Sequence, residues 1–429
     1  MTKLRQIQFC IVLLALGAFV AGCAPTAEGN VLGYLVAKQL GTLGTPNIGA
    51  PPGALQGQVL HEGQPVTNAV VVVAERDGTP HTARTDSSGR YQIDGIPPGQ
   101  YVPAAVGADY DEATATDALG NSRLVTIRSG ETGEAPLIVL QKHVATELPQ
   151  TLASAVNLTM THAYTATSVY PPGSQAQVYA YQFERDGVVV DSVRVYLPLD
   201  LEDDQQLPLL FVVYPGGIEG WEPVSVAFAD QGFALVALSP TTARGVDIDE
   251  HTLDSRVVLA LAQSGALTPH VGDGPAVALG GSFSSAILHC LLRDEADEIA
   301  AWVTVGGISD AFNGTADFYA GELEIPESYA TLIPALGLPN IYPLNLLRYS
   351  PIFTAEQLPP TLIVHTGADT IIPIDQAIAL EDAVRGAGVP VETFYYEDTS
   401  HYLQVDENMS DAGKEMFDRI VNFARSHLQ

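Results

Sequence analysis

Cysteine and positively charged residues are scarce in this chain, and both shortages narrow the classes of protein to which it could belong. The 429 residues include 3 cysteines, and 19 lysines and arginines stand against 50 aspartates and glutamates, which gives a formal net charge of −31. Such an acidic surface disfavours nucleic acid and anionic lipid head groups, so we expect neither as a partner. Hydrophobic residues make up 46% of the chain, which is ample for a large core.

The apolar run at residues 9–20 is too short for a helix of about 20 residues that crosses a bilayer. Basic residues precede it, and small residues lead directly to Cys23. This arrangement resembles a bacterial lipoprotein signal peptide. The resemblance implies that residues 1–22 are removed, that Cys23 is acylated, and that the exported protein is lipid-anchored at the extracytoplasmic face of the membrane. An ordinary signal peptide followed by an unmodified cysteine is the alternative.

The chain has too few cysteines for a disulfide once its N-terminal ones are accounted for. If Cys10 leaves with the signal and Cys23 is acylated, Cys290 stands alone, so no intrachain disulfide is expected despite export. Cys290 falls on an apolar helical segment and fits a small buried residue. Residues 23–53 are rich in Gly, Pro, Ala and Thr and predict a flexible tether, with some helical character at residues 30–40.

Residues 54–143 predict a small all-β sandwich, because short β-rich runs alternate with turn signals. Its motifs are Gly57-x-Val59, Gly63-x-Pro65, Thr85-Asp86-x-x-Gly89-x-Tyr91 and Pro98-Gly99-x-Tyr101. They resemble the carboxypeptidase regulatory-like, or transthyretin-like, domain. The resemblance implies a structural or adhesive module, with a cell surface or a polysaccharide as its contact. His61 and His81 are interpreted as surface residues.

Residues 144–175 predict a linker that could add an edge strand, and residues 176–429 predict a second domain. There, strands and helices alternate, which favours a mostly parallel sheet covered on both faces, with ligand sites at the carboxyl ends of its strands. The alternation lapses at about 306–351, a stretch rich in aromatic residues. We interpret it as a cap insertion that supplies the substrate pocket. Simple cover for the sheet is the alternative.

A candidate nucleophile, Ser282, lies where a buried strand turns sharply into a helix. The sequence Gly280-Gly281-Ser282-Phe283-Ser284 is a variant of the G-x-S-x-G nucleophile elbow, whose strained turn requires small neighbours. The helix behind the serine would direct its unpaired N–H groups at a developing anion. A glycine-rich turn with an incidental serine is the alternative.

An acid and a base follow at later strand ends. Asp369 lies just past one strand and His401 lies in the loop after the next, so Ser282, Asp369 and His401 have the chain order of one known triad fold. The weaker candidates are Asp310 as a substitute acid, Asp375 as a helix cap, His365 as a base placed too early, and His289 as a core residue.

Paired glycines after an earlier strand predict one oxyanion donor. Gly217, in Tyr214-Pro215-Gly216-Gly217, would bring a backbone N–H close to the oxyanion, and Phe283 would supply the second N–H.

These motifs resemble those of α/β-hydrolases of the prolyl-oligopeptidase and dienelactone-hydrolase-like groups. The resemblance covers residues 176–429 and implies a Ser282, Asp369 and His401 triad with no metal or organic cofactor. Pro215 stands where relatives usually carry histidine, and Ser284 replaces the last elbow glycine. No β-propeller precedes the domain, which weakens a peptidase role.

The sequence therefore predicts a small all-β sandwich followed by an α/β-hydrolase domain with a cap insertion. The expected function is a membrane-anchored extracytoplasmic serine esterase that acts on a small ester, because the aromatic insertion suits an apolar acyl or alcohol group. One alternative is a serine peptidase of the prolyl oligopeptidase type, with a short peptide as substrate. Another is a non-catalytic surface adhesion lipoprotein.

Overall fold

The computed structural model of the chain describes residues 27–39, 49–149, 151–325, 330–397, 401 and 409–428. The predicted signal peptide at residues 1–22 and the acylation site Cys23 lie outside the described residues. Within the described part of the chain, no helix is both long enough and apolar enough to cross a membrane.

The predicted tether contains a helix that packs on the cap. This helix, α1 (Ala27–Gln39), covers most of the stretch with helical character. Asn30 donates a hydrogen bond to the carbonyl oxygen of Ala335 at 3.0 Å. The ring centroid of Tyr34 lies 6.0 Å from that of Phe318 and 5.7 Å from that of Tyr319. The helical character expected at residues 30–40 is thus present, and these contacts hold the helix on the cap.

The next segment folds as two packed β-sheets, as predicted. One sheet holds β1, β2, β5, β10 and β11, the other has the order β4-β3-β7-β8, and β6 pairs with β9. Alternate side chains of both sheets fill a common core that includes Leu55, Val71 and Ile93. The strands are β1 (Gly53–His61), β2 (Gln64–Pro65), β3 (Val70–Ala74), β4 (Pro80–Arg84), β5 (Arg90–Ile96), β6 (Gly99–Tyr101), β7 (Ala104–Gly107), β8 (Tyr110–Thr114), β9 (Val125–Ile127), β10 (Thr132–Glu134) and β11 (Ile138–Val139).

The second domain is built on one sheet of nine strands, in the order β12-β13-β14-β16-β15-β17-β18-β19-β20. The first three strands are antiparallel, and β15 to β20 run parallel to one another. The elements are α2 (Leu152–Ala155), β12 (Thr159–Thr167), β13 (Gln175–Arg185), β14 (Val188–Pro198), β15 (Leu209–Val213), α3 (Glu222–Asp230), β16 (Ala234–Leu238), α4 (Ile248–Gln263), β17 (Ala276–Ser282), α5 (Phe283–Asp294), β18 (Ile299–Gly307), α6 (Ala311–Ala320), α7 (Leu332–Ala335), α8 (Pro343–Arg348), β19 (Thr361–Thr366), α9 (Ile374–Gly386), β20 (Val391–Tyr396) and α10 (Asp411–His427).

Helices cover both faces of this sheet, which explains why its central strands are apolar throughout. Helices α4, α5 and α9 pack on one face, and α3 and α10 pack on the other. Strands β15 and β16 are buried at every position. This arrangement is the α/β-hydrolase fold, and it confirms the fold class predicted from the sequence.

The sheet begins earlier than the sequence indicates. Strand β12 lies within the predicted linker at residues 144–175 and pairs with β13 along its whole length. The sequence predicts an edge strand here only as an option, because Thr159–Thr167 is exposed at all positions but one and lacks a buried face.

The cap helices α6, α7 and α8 lie between β18 and β19, inside the predicted insertion. They pack against the sandwich domain. Val70 and Val72 of β3 pack with Phe312 of α6 and with Leu346 and Leu347 of α8. One face of the β4-β3-β7-β8 sheet is therefore covered by the cap, so the sandwich braces the cap from outside.

A buried carboxylate joins three parts of the molecule. Glu112 of β8, with a side chain 1% exposed, forms ion pairs with Arg293 at the end of α5, at 3.3 Å, and with Arg348 of α8. Beside it, His143 contacts Asp111 and Asp294 at 2.7 and 2.9 Å. Because these residues come from the sandwich, the sheet domain and the cap, their ion pairs fix the relative position of all three.

Removing the Glu112 carboxylate should destabilise the fold, because the buried Arg293 would keep only its longer ion pair with Asp111, at 3.5 Å. We expect Glu112→Ala to lower the free energy of unfolding by about 3 kcal/mol, measured by urea denaturation. Glu131→Ala is the matched control, since Glu131 forms an exposed pair with Arg128 and should change stability little. Equal stability of the two variants would contradict the bridging role.

Candidate active site

The backbone of Ser282 is strained in the way that a nucleophile elbow requires. Ser282 ends β17 and caps α5 with φ of 51° and ψ of −130°. A Cβ atom at Gly281 would lie 1.9 Å from the carbonyl oxygen of Val305, and one at Gly280 would lie 2.6 Å from Leu288 Cδ1. The two glycines are therefore needed for the close approach of β17 to its neighbours.

Ser284, which replaces the last glycine of the motif, holds the turn together. Its Oγ accepts a hydrogen bond from the Gly281 amide at 3.0 Å and donates one to the Gly281 carbonyl at 2.7 Å. The side chain is fully buried. The hydroxyl thus satisfies two backbone groups that a glycine at this position would leave to other partners.

Asp369 follows β19, and its carboxylate is held on both oxygens. Oδ1 accepts hydrogen bonds from the amides of Ile371 and Ile372, both at 2.9 Å. Oδ2 accepts a hydrogen bond from Nδ1 of His401 and lies 3.4 Å from Nε2 of His365. Burial favours the neutral acid, but the bonds from His365, His401 and the Ile372 amide outweigh it and hold the pKa of Asp369 well below its usual range.

The imidazole of His401 lies at the same edge of the sheet as Ser282. A Cβ atom at Gly306 would lie 3.3 Å from both Nδ1 and Cε1 of His401. Gly306 adjoins Gly307, which is the register partner of Ser282 across β17 and β18. Asp369 and His401 are therefore in contact, and Ser282 lies at the same edge of the sheet, at the carboxyl ends of β17, β18 and β19. Residues 398–400 and 402–408 around His401 lie outside the described residues.

The sequence did not predict the roles that two residues play near this site. His365 was interpreted as placed too early to act as a base, yet it lies beside Asp369, with Nε2 2.8 Å from the carbonyl oxygen of Ile372. No spacing rule predicts this contact, because His365 lies on β19 and Asp369 lies in the loop after it. Gly306, with φ of 57°, makes room for the His401 ring, and only the folded backbone reveals that contact.

The weaker candidates have structural roles. Asp310 caps α6 by accepting hydrogen bonds from the amides of Phe312 and Asn313, and burial raises its pKa. Asp375 lies in the first turn of α9, which Pro373 caps, so its predicted role as the cap is corrected.

The other histidines and Cys290 also contribute to packing. His289 is buried against Thr354, and burial lowers its pKa to about 3. Cys290 is buried as predicted, which raises its pKa to about 12. His61 and His81 are half-buried and bonded to the Leu140 carbonyl and Glu75, so their description as surface residues is corrected.

An apolar cavity of about 330 Å³ opens beside Ser282. Phe283, Trp221 and Ile372 form part of its wall, and the cap contributes Leu332, Ile333 and Leu336 from α7 and its end. Among the described lining residues there is no Asp, Glu, His, Lys or Arg. Gln376, one of the polar residues in the lining, is already bonded, with Oε1 accepting from the Ser309 and Asp310 amides. The cavity therefore suits an uncharged, apolar group.

The predicted oxyanion donors flank this cavity. Phe283 is the first residue of α5, where backbone N–H groups have no partner within the helix. Pro215 and Gly216 line the cavity, and Gly217 lies next to them at the exposed start of a turn at Ile218–Trp221. Within the described part of the chain, no group of three or more His, Cys, Asp or Glu residues could hold a metal ion.

The close approach at Gly281 predicts a sharp difference between two glycine substitutions. Gly281→Ala should lower the free energy of unfolding by more than about 3 kcal/mol, because its Cβ would collide with the Val305 carbonyl. Gly386→Ala, at the end of α9 with open space around it, should raise stability by about 0.5 kcal/mol. Thermal unfolding followed by circular dichroism measures both, and a stable Gly281→Ala protein would contradict the geometry.

Comparisons with known proteins match the two domains separately. Residues 54–138 match the family model of the carboxypeptidase regulatory-like domain. A protein of Aspergillus niger named probable dipeptidyl-peptidase 5 is 25% identical over 231 residues, which is 49% of this chain and 31% of that protein. A protein of the same name from Emericella nidulans is 24% identical over 50% of this chain and 31% of its own length. This chain thus spans about a third of the curated relatives it matches.

Solved structures are similar at low identity. The Thermogutta terrifontis esterase Est2 with bound propionate is 17% identical, with a TM-score of 0.43 over 56% of this chain and 90% of that one. The Pyrococcus horikoshii acylaminoacyl peptidase is 13% identical, with a TM-score of 0.45 over 84% of this chain and 54% of that one. With the strand order and the family match, the chain joins a carboxypeptidase regulatory-like domain at residues 54–138 to a domain of the α/β-hydrolase fold.

Proposed function

We propose that this protein is a serine hydrolase that cleaves carboxylic esters through Ser282, His401 and Asp369. The observation that supports this most directly is the strained Ser282 at the wall of an apolar cavity, next to the Asp369–His401 hydrogen bond. A nucleophile, a base and an orienting acid are the three side chains that acyl transfer by serine requires.

In the first half of the reaction, Ser282 Oγ attacks the carbonyl carbon of the ester, and His401 Nε2 takes the hydroxyl proton. Asp369, bonded to Nδ1, fixes the tautomer and stabilises the imidazolium. The carbonyl oxygen becomes an oxyanion that accepts hydrogen bonds from the Phe283 and Gly217 amides. His401 then returns its proton to the departing alkoxide, which leaves as an alcohol.

In the second half, water attacks the acyl-enzyme. His401 takes a proton from this water, a second oxyanion forms in the same place, and its collapse breaks the bond to Ser282 Oγ. The proton returns to Ser282, and a carboxylic acid is released. The apolar cavity holds the acyl or alcohol group.

A serine peptidase is the second candidate, because both curated relatives are named probable dipeptidyl-peptidase 5. An enzyme that removes dipeptides must accept the charged terminal amine of its substrate, and a desolvated cation needs an anionic partner. The described lining of the cavity offers no carboxylate. That chemistry favours an ester substrate over a dipeptidyl one.

We further propose export and anchoring through acylated Cys23, so that hydrolysis takes place outside the cytoplasm. Contact of the sandwich domain with a polysaccharide stays a prediction. Its β4-β3-β7-β8 sheet already packs on the cap through Val70 and Val72, so any such contact would use another face.

Replacing Ser282 tests the proposed reaction. The wild type should hydrolyse p-nitrophenyl acetate and butyrate and label with a fluorophosphonate, whereas Ser282→Ala should lose both. Ser285→Ala is the matched control, since its Oγ bonds Thr304 rather than facing the cavity, and activity should persist. Release of p-nitroaniline from dipeptidyl anilides faster than ester turnover would favour the peptidase. No turnover in the wild type would favour the adhesion alternative.

Removing the charge of Asp369 should slow catalysis without changing substrate binding much. We expect Asp369→Asn to lower kcat by about 10³-fold to 10⁴-fold, because His401 would lose the partner that fixes its tautomer. Asp375→Asn, an exposed carboxylate on α9, should keep kcat close to that of the wild type. Equal kcat for the two variants, measured with p-nitrophenyl butyrate, would remove Asp369 from the mechanism.

A further inference from the structure

Helix α1 has two opposite faces with different surroundings. One face docks on the cap through Asn30, bonded to the Ala335 carbonyl, and through Tyr34, which packs on α6. Leu32 and Leu35, three residues apart on the other side, are 43% and 52% exposed. Lys38 is exposed at the end of the helix, with Nζ 5.6 Å from the Tyr34 ring centroid. The side of α1 that faces away from the cap therefore presents a small apolar pair with a lysine beside it.

The short spacing between Cys23 and α1 bears on what could cover this face. Cys23, the expected acylation site, lies four residues before Ala27, where the helix begins. Four extended residues reach at most about 14 Å. An acyl group inserted in a bilayer would therefore keep the start of α1 within about 14 Å of the lipid surface, regardless of the rest of the chain.

The helix on which α1 rests forms part of the cavity wall. Leu332 and Ile333 of α7, with Leu336 after it, line the apolar space beside Ser282, and Ala335 of the same helix accepts the bond from Asn30. A lipid surface against Leu32 and Leu35 would be separated from that wall by α1, which is about 10 Å across.

We propose that α1 lies on the membrane surface and holds the cap against it, so that the substrate is a long-chain ester dissolved in the bilayer. The inference rests on the ester hydrolase activity and on the acylation of Cys23 proposed above, and it adds where the substrate comes from. The uncharged lining of the cavity fits an alkyl chain, and the net charge of −31 favours a membrane of zwitterionic lipids.

Lipid contact can be measured without using activity. The full-length acylated protein is reconstituted in phosphatidylcholine vesicles with doxyl-labelled lipid, and a fluorophore is attached to Leu35→Cys. Native Cys290 is buried, and labelling of the wild type reports any reaction at Cys23. The matched control is Leu199→Cys, 37% exposed after β14, at the sheet edge opposite Ser282. Quenching at position 35 but not at 199 supports the proposal, and equal quenching or none overturns it.

The substrate class is tested with two esters of the same alcohol. In the Leu32→Gln, Leu35→Gln double variant, hydrolysis of vesicle-embedded 4-methylumbelliferyl oleate should fall roughly tenfold relative to the wild type. Hydrolysis of soluble 4-methylumbelliferyl acetate should not change, which also shows that the variant is folded. Equal rates on the oleate overturn this inference but leave the hydrolase standing. A wild type inactive on both esters overturns the proposed function instead.

Discussion

The contact between β17 and β18 at the end of the sheet is the constraint on which the candidate site depends. Gly281 approaches the Val305 carbonyl so closely that no side chain fits between them, and Ser282 is thereby held at positive φ. The same two strands carry the next contact, because Gly306 makes room for the His401 ring. A serine and an imidazole that are 119 positions apart in the sequence thus lie beside adjacent residues of β18, Gly307 and Gly306.

The cap is held from three sides, which distinguishes it from a freely hinged lid. The sandwich packs on α6 and α8, Glu112 ties α8 to the end of α5, and α1 rests on α7. Since α5 begins at the nucleophile elbow, the ion pair of Glu112 connects the sandwich to the helix behind Ser282. The carboxypeptidase regulatory-like domain is therefore part of the architecture of the pocket, although none of the named cavity-lining residues belongs to it.

Local patterns were sufficient to predict the sheet, the sandwich and the positions of Ser282, Asp369 and His401, because each is marked by a strand end or by turn residues. The surroundings of the second carboxylate oxygen of Asp369, Oδ2, could not be predicted in this way. Its contact with His365 follows from how the loop after β19 folds back, and that path is not encoded in a spacing rule. Strand β12 was left open because an exposed edge strand lacks a buried face, and helix α1 was underestimated because its stability comes from docking on the cap.

The carboxylate of Asp369 carries charge into a site whose pocket is otherwise neutral. Two backbone amides and two histidines stabilise that charge, so it can remain ionised while its side chain is fully buried. Among the described residues that line the cavity on the other side of Ser282, there is no carboxylate, histidine, lysine or arginine. The charged groups and the apolar pocket thus lie on opposite sides of Ser282. In the proposed reaction, the proton moves on the Asp369 side, and the uncharged group of the substrate occupies the cap side. An ester fits this division better than a peptide with a free amine, because only the amine would need a charged partner on the neutral side.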